Sequence, residues 1–185
     1  MLLRLCGGWS LALSLSLLAM PGQAGPVPLV ARYHLTATDG RAVTERSFPG
    51  KWQLVFFGFT NCPEICSTAL LTVKTALDEL GPRAALVQPV FVTIDPAFDT
   101  SQRMARYLSN FGPQFIGLRG SDEETKAAVK AFRVYLQKRS ISDDIYTLDH
   151  STFLYLMHPD GTLARLLSAD VPGHRLANQL RAELP

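Results

Sequence analysis

Hydrophobic positions recur along this chain at two spacings, which predict strands and helices in alternation. Residues 31–37 alternate apolar and polar side chains, as expected of a half-buried strand, and the Asp39-Gly40 turn returns the chain through residues 41–44. Continuous apolar runs rich in β-branched and aromatic residues predict three buried strands, at 53–58, 89–94 and 153–157. A tight turn after the last of them predicts a hairpin partner at 163–167.

The helical pattern is strongest after the first buried strand. Apolar residues four apart between Ile65 and Leu77 predict a helix that begins at Pro63 and ends at Gly81. Capping and stop residues predict three further helices, at 99–110, 121–132 and 172–183. Two short apolar segments, at 134–137 and 145–148, flank a polar loop. This order predicts an α/β fold with a central, mainly parallel sheet flanked by helices and an added N-terminal β-hairpin, in one domain over residues 25–185.

The N-terminus has the pattern of a secretory signal peptide over residues 1–24. A short basic segment, 1–4, precedes an uncharged run, and small residues stand before a plausible cut after Ala24. The uncharged run has 16 residues, 5 through 20, and is shorter than the ~20 that a full membrane span needs. We therefore predict cleavage and export to the periplasm. An uncleaved anchor that leaves the domain facing the periplasm is the alternative.

Charge and cysteine usage narrow the class of function. The chain has 18 basic and 16 acidic residues, a formal net charge of +2, which gives no indication of a nucleic-acid partner. Of its three cysteines, Cys6 lies in the predicted signal peptide, which leaves Cys62 and Cys66. A bridge between residues four apart closes a very small loop and stabilises little, so a structural disulfide is not expected.

The two remaining cysteines stand between a buried strand and the predicted helix that begins at Pro63. Residues four apart share a helix face, and the partial positive charge of a helix N-terminus favours thiolates. Two activated sulfurs at such a corner suit thiol–disulfide exchange and soft-metal binding equally well. The spacing alone leaves both functions open.

Three stretches, in this order, resemble the Sco/SenC family of copper-binding proteins with a thioredoxin fold. They are residues 57–66 (FGFTNCPEIC), 92–100 (VTIDPAFDT) and 148–157 (LDHSTFLYLM). The resemblance covers essentially the whole exported chain. It implies a single thioredoxin-like domain and a role in assembling the copper centre of cytochrome c oxidase.

Carried over residue by residue, the family's copper ligands correspond to Cys62, Cys66 and His150. Two thiolates and an imidazole suit Cu(I) and tolerate Cu(II), and three ligands leave a position open for transfer. In a thioredoxin fold the loop that holds His150 faces the cysteine corner. Asp149 is expected to orient the histidine ring or its loop.

Two further carboxylates are expected at the same edge of the sheet. Asp95 and Asp99 bracket a loop that follows a predicted strand, where open α/β sheets carry their sites. One of them is expected to hydrogen-bond near the copper site or its loop. The alternative for Asp99 is that it only caps the following helix.

The resemblance implies a copper metallochaperone whose partner is the copper-bearing subunit of cytochrome c oxidase. Another periplasmic copper chaperone or a thiol reductase is a second expected partner. The alternative function is a thiol–disulfide oxidoreductase that reduces acceptor cysteines through Cys62 and Cys66, and a redox or copper sensor is a third. His150 distinguishes them, because a reductase has little need of it.

Overall fold

The structure, a computed structural model, describes residues 29–142 and 146–185. The predicted signal peptide at 1–24 lies outside the described residues. Nine strands are described: β1 His34–Ala37, β2 Ala42–Thr44, β3 Trp52–Gly58, β4 Val87–Thr93, β5 Ile116–Arg119, β6 Leu136–Ser140, β7 Tyr146–His150, β8 Phe153–Met157 and β9 Leu163–Ser168. The helices are α1 Ile65–Leu80, α2 Ser101–Leu108, α3 Asp122–Ala131 and α4 Gly173–Glu183, with a 3-10 helix at Gly81–Leu86.

Seven of the strands form one sheet in the order β2-β1-β5-β4-β3-β8-β9. Its centre is parallel, because β3 pairs with β4 and β4 with β5 in the same direction. Both sides of that centre are antiparallel, where β1 and β2 join β5 and where β8 and β9 join β3. The α/β class and the N-terminal hairpin are confirmed, and the parallel part is limited to three strands because two hairpins extend the sheet.

The central strands carry the core. Every residue of β3 and β4 is buried, and successive side chains of a strand point to opposite faces, so both faces of the sheet are covered here. Helix α1 packs against α4, α2 packs against β5 and α3 packs against β1. None of the four helices within the described residues combines the length and apolar character that a bilayer crossing needs.

Helix α1 begins later than the sequence predicts. The expected start at Pro63 is wrong by two residues, since Glu64 is the N-cap and the first helical residue is Ile65. The physical reason is a tight turn before the helix, in which the Cys62 amide donates to the Phe59 carbonyl at 3.3 Å. The helix ladder then starts with the Thr68 amide on the Glu64 carbonyl at 3.0 Å. Cys62 therefore lies in the turn outside the helix, and Cys66 lies in its first turn.

Strands β6 and β7 form a separate two-stranded sheet, hereafter the ligand hairpin, residues 136–140 and 146–150. The sequence pattern predicts only two apolar segments around a polar loop, and it misses this pairing because most of β6 is exposed and polar. The Tyr146 hydroxyl donates to Asp95 Oδ2 at 2.7 Å, which ties the hairpin to the end of β4. At the open end of the hairpin, the Ser151 amide donates to the Tyr135 carbonyl at 3.0 Å and extends the pairing of the two strands.

Candidate metal centre at the cysteine corner

The two cysteines occupy different environments at the end of β3. Cys66 is fully buried, whereas Cys62 is half-buried in the turn that precedes α1. Both are free thiols in the structure. One sulfur is therefore accessible to another molecule, and the other lies behind it against the core.

The sulfur atoms have opposite acidities because they share a hydrogen bond. Hydrogen bonding between the two cysteine side chains is the largest cause, and it lowers the pKa of Cys62 to about 4. The same bond and burial raise the pKa of Cys66 far above its ordinary range. At neutral pH the accessible sulfur is a thiolate, the form that binds soft metals and attacks disulfides.

Gly58, the last residue of β3, provides the space that the Cys66 sulfur occupies. A Cβ at this position would lie 2.9 Å from Cys66 Sγ, 3.0 Å from Phe91 Cε2 and 3.1 Å from Phe56 Cε1. These three side chains are buried almost completely. The backbone is extended here, so the glycine is needed for close approach rather than for an unusual dihedral angle.

His150 faces the sulfurs, as the resemblance implies. Its Nε2 lies 3.9 Å from Cys66 Sγ, and its Nδ1 contacts the Ser151 carbonyl oxygen at 2.8 Å. A proton on Nδ1 donates to that carbonyl and leaves the Nε2 lone pair directed at the sulfurs. The ring packs edge-on to Phe56 and Phe59, with centroids 6.3 Å and 6.0 Å away.

A cleft of about 420 Å³, hereafter the cysteine cleft, opens between the turn before α1 and β7. Cys62 and Pro63 line one wall, and Asp149 and His150 line the other. Within residues 29–142 and 146–185, no three His, Cys, Asp or Glu side chains are gathered closely enough to form a ready-made metal site. Cys66 Sγ and His150 Nε2 lie 3.9 Å apart, and Cys62 lines the same cleft as His150.

The carboxylate of Asp149 is not the hydrogen-bond partner of the histidine ring. The Asp149 carboxylate pairs with the Arg139 guanidinium at 2.5 Å, across the ligand hairpin. The contact on the imidazole comes from the Ser151 carbonyl instead. Asp149 therefore links the two strands of the hairpin that carries His150. Of the two expectations for Asp149, this agrees with a role in orienting the segment that holds the histidine rather than the ring itself.

Hydrogen bonds to the Asp99 side chain stabilise the turn before α1, which contains Cys62. Asp99 is fully buried, and its carboxylate accepts hydrogen bonds from the Thr60 amide at 3.1 Å, the Thr60 hydroxyl and the Thr93 hydroxyl at 2.7 Å. The alternative that Asp99 only caps α2 is wrong. The cap is Thr100, whose side chain accepts from the Arg103 amide at 3.2 Å.

Asp95 acts on the other wall of the cleft through Tyr146. The two aspartates thus connect the end of β4 to the cysteine turn and to the ligand hairpin, respectively. The partners Thr60 and Tyr146 were not singled out from the sequence. Thr60 lies in the first motif, two residues before Cys62, but Tyr146 stands alone in a polar segment and carries no local indication of its contact.

Comparison with known proteins identifies relatives of this chain. The model of the SCO1/SenC family matches residues 21–184. Protein SCO1 homolog 1, mitochondrial, of Arabidopsis thaliana is 40% identical over 138 residues, which are 74% of this chain and 41% of that protein. Protein sco1 of Schizosaccharomyces pombe is 39% identical over 160 residues, 84% of this chain and 61% of that protein.

Solved structures show the same fold. Bradyrhizobium japonicum ScoI with copper bound superposes with a TM-score of 0.77 at 35% identity, over 84% of this chain and 99% of that one. BsSco, described as a member of the Sco family of cytochrome c oxidase assembly proteins, has a TM-score of 0.65 over 84% of this chain and 92% of that one. At 22% identity the second likeness concerns the fold alone.

Two findings qualify the expectations from sequence. The chain spans 41% and 61% of the two curated relatives described above. The predicted periplasmic location is wrong by this comparison, because relatives from plants, fish and yeast are named as mitochondrial proteins. The periplasmic prediction came from the signal-peptide pattern. That pattern rests on an apolar N-terminal run, which does not identify the membrane to which a chain is targeted.

Proposed function

This chain belongs to the SCO1/SenC family, and we propose that it is a metallochaperone that binds copper through Cys62, Cys66 and His150. We further propose that it delivers the copper to the copper-bearing subunit of cytochrome c oxidase during assembly. Copper is the cargo in this proposal and leaves with the acceptor.

The observation that carries the proposal is the 3.9 Å distance between Cys66 Sγ and His150 Nε2. A sulfur about 2.3 Å and a nitrogen about 2.0 Å from one d¹⁰ ion are about 3.5–3.7 Å apart at tetrahedral or trigonal angles. The two atoms are therefore separated by nearly the span that a shared ion requires. The Ser151 carbonyl supports the same role, because it leaves Nε2 as the lone-pair nitrogen.

The donor set fits copper in both oxidation states. Two sulfurs and one imidazole favour Cu(I) and accept Cu(II), and the thiolate of Cys62 is available at neutral pH. Phe56 and Phe59 cover one side of the histidine and limit water there. The cysteine cleft leaves the other side open, so an acceptor ligand can approach the ion before it leaves Cys62.

Copper binding by His150→Ala tests the proposal. We expect a strong loss of copper affinity, measured by competition with a chromophoric chelator. Dithiol–disulfide exchange at Cys62 and Cys66 should continue, because the sulfurs remain in place. His34→Ala is the matched control, since His34 is exposed on β1 and its Nδ1 lies 3.7 Å from the Glu124 carboxylate.

An unchanged copper affinity in His150→Ala would contradict the proposed ligand set. Spectra of the copper-loaded protein provide a second readout, in which sulfur-to-Cu(II) charge-transfer bands should disappear in Cys62→Ala. Delivery is tested separately by mixing the copper-loaded chain with the soluble copper domain of the oxidase subunit. Copper that stays on this chain while the acceptor cysteines are reduced would favour the reductase alternative.

A further inference from the structure

A second groove, hereafter the acidic groove, continues from the cysteine cleft over the first turn of α1. It has a volume of about 330 Å³ and is lined by residues of α1, of the segment before β8 and of the segment after β9. Glu64 and Ile65 line both depressions, so the two form one continuous surface beside Cys62. A segment that lies on Glu64 and Ile65 can therefore occupy the groove and the cysteine cleft at the same time.

The groove combines an apolar floor with two carboxylates. Ala69 and Ala169 are buried at its base, while Ile65 is 58% exposed on the ridge between the two depressions. Glu64 and Asp170 are exposed and line the groove. In the part of the chain that the structure describes, neither carboxylate has a salt-bridge partner.

This chemistry matches one kind of side chain. Lysine and arginine place a flexible aliphatic stem along apolar surface while the charged end stays near water and carboxylates. An acidic or purely apolar side chain would leave both carboxylates uncompensated at the contact. The charge of the groove and its continuity with the cysteine cleft therefore both favour a lysine or arginine side chain from a segment that reaches Cys62.

We infer that the acidic groove receives a basic side chain of an extended acceptor segment whose own cysteine reaches Cys62. The inference rests on the proposed function in that it concerns the acceptor of the same site. The cysteine of the segment lies in the cysteine cleft, and its lysine or arginine crosses Ile65 to Glu64 and Asp170. The groove thus selects acceptors by a residue close to their metal-binding cysteine.

Thiol exchange with short peptides tests the groove without copper. Each glycine–serine peptide carries one cysteine, as a mixed disulfide with thionitrobenzoate, and one lysine, norleucine or glutamate two, three or four residues away. The Cys62 thiolate attacks the peptide sulfur, the Cys62–peptide disulfide forms, the peptide–thionitrobenzoate bond breaks, and the coloured thionitrobenzoate thiolate leaves. Its initial release gives the rate, and mass spectrometry identifies the adduct.

We expect the best lysine peptide to react about threefold to tenfold faster than its norleucine counterpart, the gain of two partly exposed ion pairs. Glu64→Gln combined with Asp170→Asn should remove this ratio, as should ~1 M salt, where the Debye length is about 3 Å. Because the ratio is taken within one variant, a change in the reactivity of Cys62 cancels. Glu79→Gln combined with Glu123→Gln removes two exposed carboxylates elsewhere and should leave the ratio unchanged.

Equal rates for lysine and norleucine, or faster reaction of the glutamate peptide, would overturn the inference. Faster norleucine would assign the groove to an apolar side chain and overturn it as well. The result is independent of copper binding. A lysine preference together with failed copper binding would support the groove and contradict the chaperone proposal. Copper binding without a lysine preference would support the chaperone proposal and contradict the groove.

Discussion

Replacing Gly58 by alanine is the sharpest test of how the structure positions Cys66. The added Cβ would lie 2.9 Å from the sulfur and 3.0 Å and 3.1 Å from Phe91 and Phe56, against about 3.5–4.0 Å for a relaxed carbon contact. All three neighbours are buried, so none can swing into solvent. The two rings are fixed by the core, and the sulfur is the atom that moves.

The expected magnitudes follow from that overlap. Overpacking a core costs about 1–3 kcal/mol, and the smaller conformational entropy of an unfolded alanine offsets about 0.4–1 kcal/mol. We therefore expect Gly58→Ala to lose about 1–2 kcal/mol of unfolding free energy. Displacing Cys66, one of the proposed ligands, from its supported position should lower copper affinity about 10- to 100-fold.

Gly117→Ala is the matched control for this variant. Its Cβ would be equally crowded, 2.7 Å from Leu108 and 3.0 Å from Thr38, but Gly117 lies on β5, away from the cysteines. Denaturant unfolding and copper competition should therefore separate the two variants. Both are expected to lose stability, and only Gly58→Ala should lose affinity. Equal copper affinities for Gly58→Ala and the unmodified chain would refute the reasoning.

Three further substitutions or titrations test the supports of the site. Asp99→Asn should cost about 1–3 kcal/mol of unfolding free energy and weaken copper binding, because an asparagine amide cannot accept all the hydrogen bonds that the Asp99 carboxylate accepts. An unaffected denaturation midpoint would contradict this role of Asp99. Tyr146→Phe should speed amide hydrogen exchange in the ligand hairpin about tenfold, whereas Tyr135→Phe, which removes an exposed hydroxyl, should not. Equal exchange rates in the two variants would contradict the role of the Tyr146–Asp95 hydrogen bond. The lowered pKa of Cys62, about 4 against about 8.5 unfolded, adds stability that is present above the unfolded pKa and is lost as the pH falls towards 4. Iodoacetamide should therefore alkylate Cys62 at a constant rate down to about pH 5, and a midpoint near 8.5 would contradict the assignment.

Local patterns predicted the elements that depend on local chemistry. The capping box at Ser121 and Glu124 is formed on both sides, and α3 begins at Asp122 as expected. The buried strands β3 and β8 follow their apolar runs within a residue. These elements were accessible because their determining contacts lie within a few residues of each other.

Contacts distant in sequence set the remaining features. The sequence placed Asp99 correctly at the sheet edge. It did not predict the hydrogen bond from Thr60, because that partner lies 39 residues away, and helix capping was the simpler local alternative. The start of α1 depends on a turn closed by Phe59, which the proline pattern could not reveal. Tyr146 reaches Asp95 over 51 residues, and only the folded hairpin brings them together.

The separation of the ligand hairpin from the seven-stranded sheet has a thermodynamic consequence. His150 is presented to the sulfurs at an effective concentration that depends on how firmly the hairpin is docked. With His150 as the proposed copper ligand, copper affinity and hairpin docking are linked, so each weakens or strengthens the other by the same free energy. A binding partner that loosened the Tyr146–Asp95 contact would lower the affinity for copper without touching a ligand. Under the proposed function, copper release can thus be controlled at a distance from the metal.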